Sequence, residues 1–179
     1  MKTNLICLFA LIVVFTGCDK IKDSATIPIS TKLVTNIPVV VLSQAKKSFD
    51  QIGVVNAIIF TKTQDLTLAS NADIEPYIAR IKEVDLNSLV VTITGLSEGQ
   101  TINSVSLDVT GVGNIFTQTN ITMSNNSFTP VIAAGTLDMV AAKLTDDKKI
   151  TLTVSGIASG AMSFTVSLNF DAIIIAYLL

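Results

Sequence analysis

The chain has 179 residues, 49% of them apolar and 15% charged, with a net charge of −2. That is enough for one cored domain and short for two. Histidine is absent and cysteine occurs twice, which removes the Ser-His-Asp triad, the Cys-His pair and the common zinc ligand sets. No basic patch is available to neutralise phosphates, so nucleic acid is excluded as a partner, and charge runs, low-complexity tracts and internal repeats are missing.

The chain opens with Lys2 and an unbroken apolar stretch from Leu5 to Phe15. Eleven residues fall short of the ~20 that a helix needs to cross a bilayer core. The charge, length and position fit the hydrophobic region of a secretory signal. It ends in Phe15-Thr16-Gly17-Cys18, an apolar residue, a small residue, glycine and cysteine. This tetrad resembles the lipobox of bacterial lipoprotein precursors, and the resemblance covers residues 1–18. It implies a diacylglyceryl group on the Cys18 sulfur, cleavage between Gly17 and Cys18 by signal peptidase II, and acylation of the new amine. A thiol suits that attachment because its thiolate is the strongest nucleophile among ordinary side chains. A lone unpaired thiol in an exported chain would otherwise stand unexplained. Cys7 leaves with the signal.

The expected organisation is a signal peptide over 1–17, a lipidated tether over 18–25 and one domain over 26–179. The tether, Asp19-Lys20-Ile21-Lys22-Asp23-Ser24-Ala25 after the cysteine, is polar and solvated. Fully extended it reaches roughly 25 Å, at about 3.3–3.6 Å per residue. Asp23-Ser24-Ala25 also looks like a short bacterial O-glycosylation signal, although a plain linker accounts for it.

From Thr26 onward, alternation dominates. Ile27, Ile29 and Leu33 share one face of an extended stretch, and Pro28 places that stretch at a sheet edge because it cannot donate to a ladder. Val39 to Leu42 follows Pro38 as a short buried strand. Val54 to Thr63 is rich in β-branched residues. Leu89-Val91-Ile93, Val105-Leu107-Val109 and Ile150-Leu152-Val154 each alternate with polar neighbours, and Ile115 to Thr122 is half polar. Met162, Phe164, Val166, Leu168 and Phe170 alternate with Ser, Thr and Asn, which gives a strand with one wet face. Turn signals separate these runs at Gly95 to Gly99, Gly111 to Asn114, Ser124 to Asn126, Asp146-Asp147 and Gly156 to Gly160.

Two stretches have helical spacing. Ile74, Tyr77, Ile78 and Ile81 predict a short helix that Asp73 caps, with Pro76 in its first turn. Leu137, Val140, Ala141 and Leu144 predict a second after Thr136, of one or two turns. The apolar run from Ala172 to Leu179 reads as a strand buried on both faces rather than an exposed edge. Seven to nine short strands with one or two short helices predict an all-β fold, an antiparallel β-sandwich of immunoglobulin-like architecture without the Cys…Trp…Cys core.

Candidates for chemistry are sparse. Ser43-Gln44-Ala45-Lys46 matches the Ser-x-x-Lys pattern of penicillin-binding enzymes, with Lys62-Thr63-Gln64 and Ser124-Asn125-Asn126 as weak echoes of the two companion motifs. Their order is wrong and the chain is too small, so polar loops explain them better. Gly111-Val112-Gly113 lacks the third glycine of a nucleotide loop and reads as a hairpin turn. Asn71, Asp73 and Glu75, and then Glu83, Asp85 and Asn87, set oxygen-bearing side chains at alternate positions. They supply the hard ligands calcium takes, but a wet strand face accounts for them more simply. Paired carboxylates for glycoside hydrolysis need an aromatic-lined cleft, and the chain has eight Phe, two Tyr and no Trp. Asn120 and Asn125 head glycosylation sequons and are discounted for a bacterial chain.

The expectation is therefore a lipid-anchored protein of the bacterial cell envelope, in the outer membrane and facing the periplasm or the cell surface. Its partners are the membrane and an unidentified protein or glycan. It acts as a binding, adhesion or structural module, without catalytic residues, metal or cofactor. A carrier of a hydrophobic ligand is the alternative, and a carboxylate-based hydrolase built on Asp73, Glu75, Glu83 and Asp85 the remoter one.

Overall fold

The structure, a computed structural model, describes residues 25–42 and 57–178. Gly17, Cys18, the tether before Ala25 and the Ser43–Lys46 pattern lie outside the described residues. Eight strands are described: β1 (Thr26–Val41), β2 (Ile58–Thr67), β3 (Ile81–Thr94), β4 (Ile102–Val109), β5 (Gly113–Ile121), β6 (Ser127–Phe128), β7 (Lys149–Ala158) and β8 (Met162–Tyr177). They form two four-stranded antiparallel sheets, ordered β1-β8-β3-β6 and β2-β7-β4-β5.

The pairing is nested. The first strand pairs with the last, the second with the seventh, the third with the sixth and the fourth with the fifth. Such a chain is one long hairpin, and rolling it up brings β3 beside β8 and β4 beside β7. That is the strand order of an eight-stranded jelly roll. The all-β antiparallel sandwich is thus what the structure shows. The immunoglobulin comparison extends to two packed antiparallel sheets and not to the order of their strands.

Alternation explains the sandwich. Leu33, Ile37, Val39 and Val41 of β1, and every second residue of β8 from Met162 to Ala176, are buried, as are Leu89, Val91 and Ile93 of β3. The facing sheet contributes Val105, Leu107 and Val109 from β4 and Ile150, Leu152 and Val154 from β7. These side chains form one contiguous cluster. Each fully buried Leu, Ile or Val contributes about 1.5–3 kcal/mol. Two aromatic pairs join the sheets edge to face: Phe60 with Phe164 at 5.3 Å, and Phe116 with Phe128 at 5.9 Å.

Several boundaries differ from the sequence expectation. The segments around Ile27 and Val39 are one 16-residue strand. Its register with β8 runs unbroken, so Pro28 and Pro38, an even number of positions apart, direct their nitrogens the same way. β1 is an outer strand, and its free side is where missing N–H groups cost nothing. The Asp146-Asp147 turn signal is instead the end of a helix, and the chain reverses at Lys148 with φ +56°. The apolar run from Ala172 belongs to β8, between β1 and β3. Ala172, Ile174 and Ala176 are buried there, while Ile173 and Ile175 are half-buried on the outer face.

Both helix expectations change. Residues Glu75–Arg80 form a 3-10 helix, and Ile81 starts a strand. Its N-cap is Ile74, and the Asp73 side chain makes no cap bond. The second helix, α1 (Thr136–Asp147), is twelve residues long, about three turns at 3.6 residues per turn. It buries Val140, Ala141 and Leu144.

Gly156 lies inside β7 rather than in a turn. It pairs with Val105 of β4, next to a register shift between Ile102 and Ser104, and a Cβ on it would sit 2.0 Å from the Ser104 carbonyl oxygen and 2.7 Å from the Phe60 ring. Backbone must move to admit any side chain. Gly156→Ala is expected to destabilise the domain by about 1–3 kcal/mol, the usual range for overpacking, as a lowered urea midpoint with an unchanged slope.

Candidate functional site

The acidic positions separate into two groups. Asn71 donates its amide to Thr31 Oγ1 (3.1 Å) and to the Lys32 carbonyl (3.0 Å), while its oxygen accepts from the Asp73 N–H (2.9 Å). Asp73 Oδ2 accepts from the Thr31 hydroxyl at 3.2 Å. These two side chains pin the 71–80 connection to β1. They hold structure rather than an open coordination site. Glu75 is exposed at the start of the 3-10 helix.

Glu83 and Asp85 are exposed on β3 and, with Asp138 and Asp146 of α1, line an open groove of about 440 Å³. Val84, Ala141, Ala142 and Thr145 complete it. The groove exists because of how the edge of β3 is covered. β6 pairs only with Val91 and Thr92, so the first half of β3 has no strand on that side, and α1 takes the place. The Val84 N–H donates to Thr145 Oγ1 at 2.9 Å, and the Thr145 hydroxyl donates to the Ala141 carbonyl at 2.9 Å. Lys148 Nζ donates to the carbonyls of Ile81 and Thr145. Edge groups that would otherwise invite another strand are thereby satisfied.

Four carboxylates around one groove make it electronegative. Among the described residues, no three Asp or Glu side chains converge closely enough to hold an ion. The structure brings Glu83 and Asp85 beside Asp138 and Asp146, and keeps Asp73 and Glu75 out of that groove. Asp138 and Asp146 were not candidates in the sequence, because nothing local says that α1 lies along β3.

The other motifs have structural work. Gly111 (φ +85°) and Gly113 (φ +103°) turn the chain between β4 and β5. Asn125 closes a capping box with Thr122 and donates to the Asn120 carbonyl at 2.9 Å. Lys62 and Thr63 are on β2, and β2 and β5 are the opposite outer strands of their sheet. Three strand spacings, roughly 14 Å, separate those strands, so the penicillin-binding echo does not assemble.

Sequence reading also passed over a cluster at the end of the first sheet where β1 and β3 begin and β8 finishes. Thr26 pairs with Tyr177, Ile81 pairs with Ala176, and the Leu178 N–H donates to the Ala25 carbonyl at 3.0 Å. Arg80 Nη1 donates to the Leu178 carbonyl at 2.6 Å, and its guanidinium carbon is 5.5 Å from the centre of the Tyr77 ring. Lys82 Nζ is 6.0 Å from the centre of the Tyr177 ring. The two tyrosines are far apart in sequence, and only the return of β8 beside β3 joins them.

Among the described residues, Asp147 is a carboxyl held below the ordinary carboxylate range. The hydrogen bond from Lys143 Nζ at 2.8 Å, with the charge of that ammonium, holds it below its ordinary value of 3.8. A carboxyl depressed in the folded state stabilises the fold above its ordinary value, and that contribution disappears as pH falls through the folded value. At an exposed helix surface the effect is small. Carboxyl NMR is expected to place the Asp147 midpoint below 3.8, and Lys143→Met is expected to move it upward. Thr145→Val keeps the shape but strands the Val84 N–H. It is expected to cost about 1–3 kcal/mol by chemical denaturation, with faster hydrogen exchange at the Val84 amide.

No family model matches the chain, and no curated protein matches it. A solved structure of Desmodium yellow mottle tymovirus is similar over 84% of this chain and 90% of that one, at 14% identity and a TM-score of 0.32. A score that low carries no argument about this chain.

Proposed function

We propose that the chain is a lipid-anchored protein of the bacterial cell envelope whose jelly roll serves as a non-enzymatic binding, adhesion or structural module. The observation that carries the reading is Phe15-Thr16-Gly17-Cys18 at the end of an eleven-residue apolar run. Cys18 takes the lipid and becomes the first residue of the mature chain. One acyl chain anchors only marginally and each buried methylene contributes about 0.8 kcal/mol, so two or three chains on one cysteine make the attachment lasting. The domain begins at Thr26, a short polar tether beyond that cysteine.

The residue inventory supports a module without catalysis. Without histidine, nucleophile activation falls to Lys or to carboxylates, and Asn71 and Asp73 already hold the 71–80 connection against β1. The contiguous core among the described residues favours this reading over a carrier of hydrophobic ligands. The cluster between the sheets is contiguous, and a lipid would have to displace pairs such as Phe60 and Phe164.

Radiolabelled palmitate is expected to enter the wild-type protein and to be absent from Cys18→Ala. Equal labelling of the two would overturn the anchor. Protease treatment of intact cells then separates display on the surface, where the domain is digested, from a periplasmic position, where it is protected.

A further inference from the structure

We infer that the end of the sandwich bearing Tyr77, Arg80, Lys82 and Tyr177 rests on an anionic phospholipid surface, so that the anchor is an oriented seat rather than a loose leash. The inference deepens the lipid-anchor reading and rests on it.

Three independent observations converge. The first is where the tether enters. Ala25 is bonded to Leu178, and Thr26 pairs with Tyr177, so the tether meets the domain at the same end as the tyrosine cluster. A tether reaching roughly 25 Å at most keeps that end, and no other, close to the headgroups.

The second is composition. The chain has two tyrosines and no tryptophan, and both tyrosines are at this end, half-buried. Tyrosine is the residue type enriched where one face is apolar and the other wet, as at membrane interfaces. Leu178, 43% exposed, and the half-buried Ile175 add apolar surface beside them.

The third is charge. Arg80 and Lys82 lie against the two rings, and Lys148 reaches the Ile81 carbonyl from α1. In the sequence of the tether, Lys20 and Lys22 are balanced by Asp19 and Asp23, so the cations that count are those of the folded end. Glu75 and Glu83 are the neighbouring acids, and Glu83 belongs to the groove along α1. An anionic leaflet attracts cations held near its surface, while aliphatic stems and rings occupy the interface and charged heads stay wet.

The tyrosines supply their own readout, because no tryptophan masks their emission. The lipidated full chain is reconstituted in vesicles of phosphatidylcholine with phosphatidylglycerol, and its mass and flotation establish the anchor first. Acrylamide quenching of tyrosine emission is then compared between vesicles and detergent-free nanomolar solution of Cys18→Ala. The expected result is a loss of acrylamide access on the vesicles, together with new quenching by a lipid spin-labelled near its headgroup. Lys82→Glu is expected to restore access, since Lys82 makes a ring contact and no backbone bond. Arg80→Gln is a second variant, read only after circular dichroism shows the β fold intact. Anchored protein that floats with its tyrosines as open to acrylamide as in solution overturns the seat and leaves the anchor standing. Protein that carries no acyl mass overturns the anchor itself.

Discussion

The pairing of β1 with β8 is the constraint on which the rest depends. Sixteen residues of each strand align without a register shift, although they come from opposite ends of the domain. Because side chains alternate along a strand, a slip of one position would turn a whole buried face outward. The β1 side chains from Leu33 to Val41 and the β8 side chains from Met162 to Ala176 therefore fix one another. Once they are fixed, β3 has a single place beside β8, and the second sheet closes over the face they present. Phe60 and Phe164, and Phe116 and Phe128, then join the two layers near their edges.

The sheet margins are handled by different means. β1 carries two prolines on its free side. The opening half of β3 is covered by α1 through Thr145 and Lys148. On β2, Lys62 and Gln64 have the parity of the buried Phe60 and Leu66, yet they are exposed. A charged side chain directed toward the sandwich on an outer strand discourages another chain from pairing there. The acidic groove is a by-product of the same economy. A helix replaced a strand beside β3, and its polar face put Asp138 and Asp146 next to Glu83 and Asp85.

Much of the sandwich could be read from the sequence because period-two alternation is a local property. Met162 to Phe170 announces its own wet and dry faces, and Pro28 announces an edge. The apolar run after Ala172 could be assigned to a strand inside a sheet, but not its faces: one is buried, while Ile173 and Ile175 leave the other half-buried rather than buried as expected. What could not be read was whatever depends on partners far away. Ile74, Tyr77, Ile78 and Ile81 have helical spacing, but Asp73 is engaged by Thr31 of β1, and pairing of Ile81 with Ala176 draws the end of that segment into a strand. The strand order was equally hidden, because alternation says that a residue faces a core and not which neighbour it meets. The tyrosine and arginine cluster was invisible for the same reason. Gly156 looked like part of a turn, and only the Ser104 carbonyl above it shows why glycine stands inside a strand.

The position of β8 has a consequence for biosynthesis. It is the last of the described strands in chain order, and it occupies an inner place in its sheet. Until Met162–Tyr177 has left the ribosome, β1 and β3 have nothing between them and the first sheet cannot close. Closing a loop that spans nearly the whole domain is also slow, as for other topologies dominated by distant contacts. That half of the fold therefore stays extended until its final strand is made, and any process that acts on an open chain has that interval in which to do so.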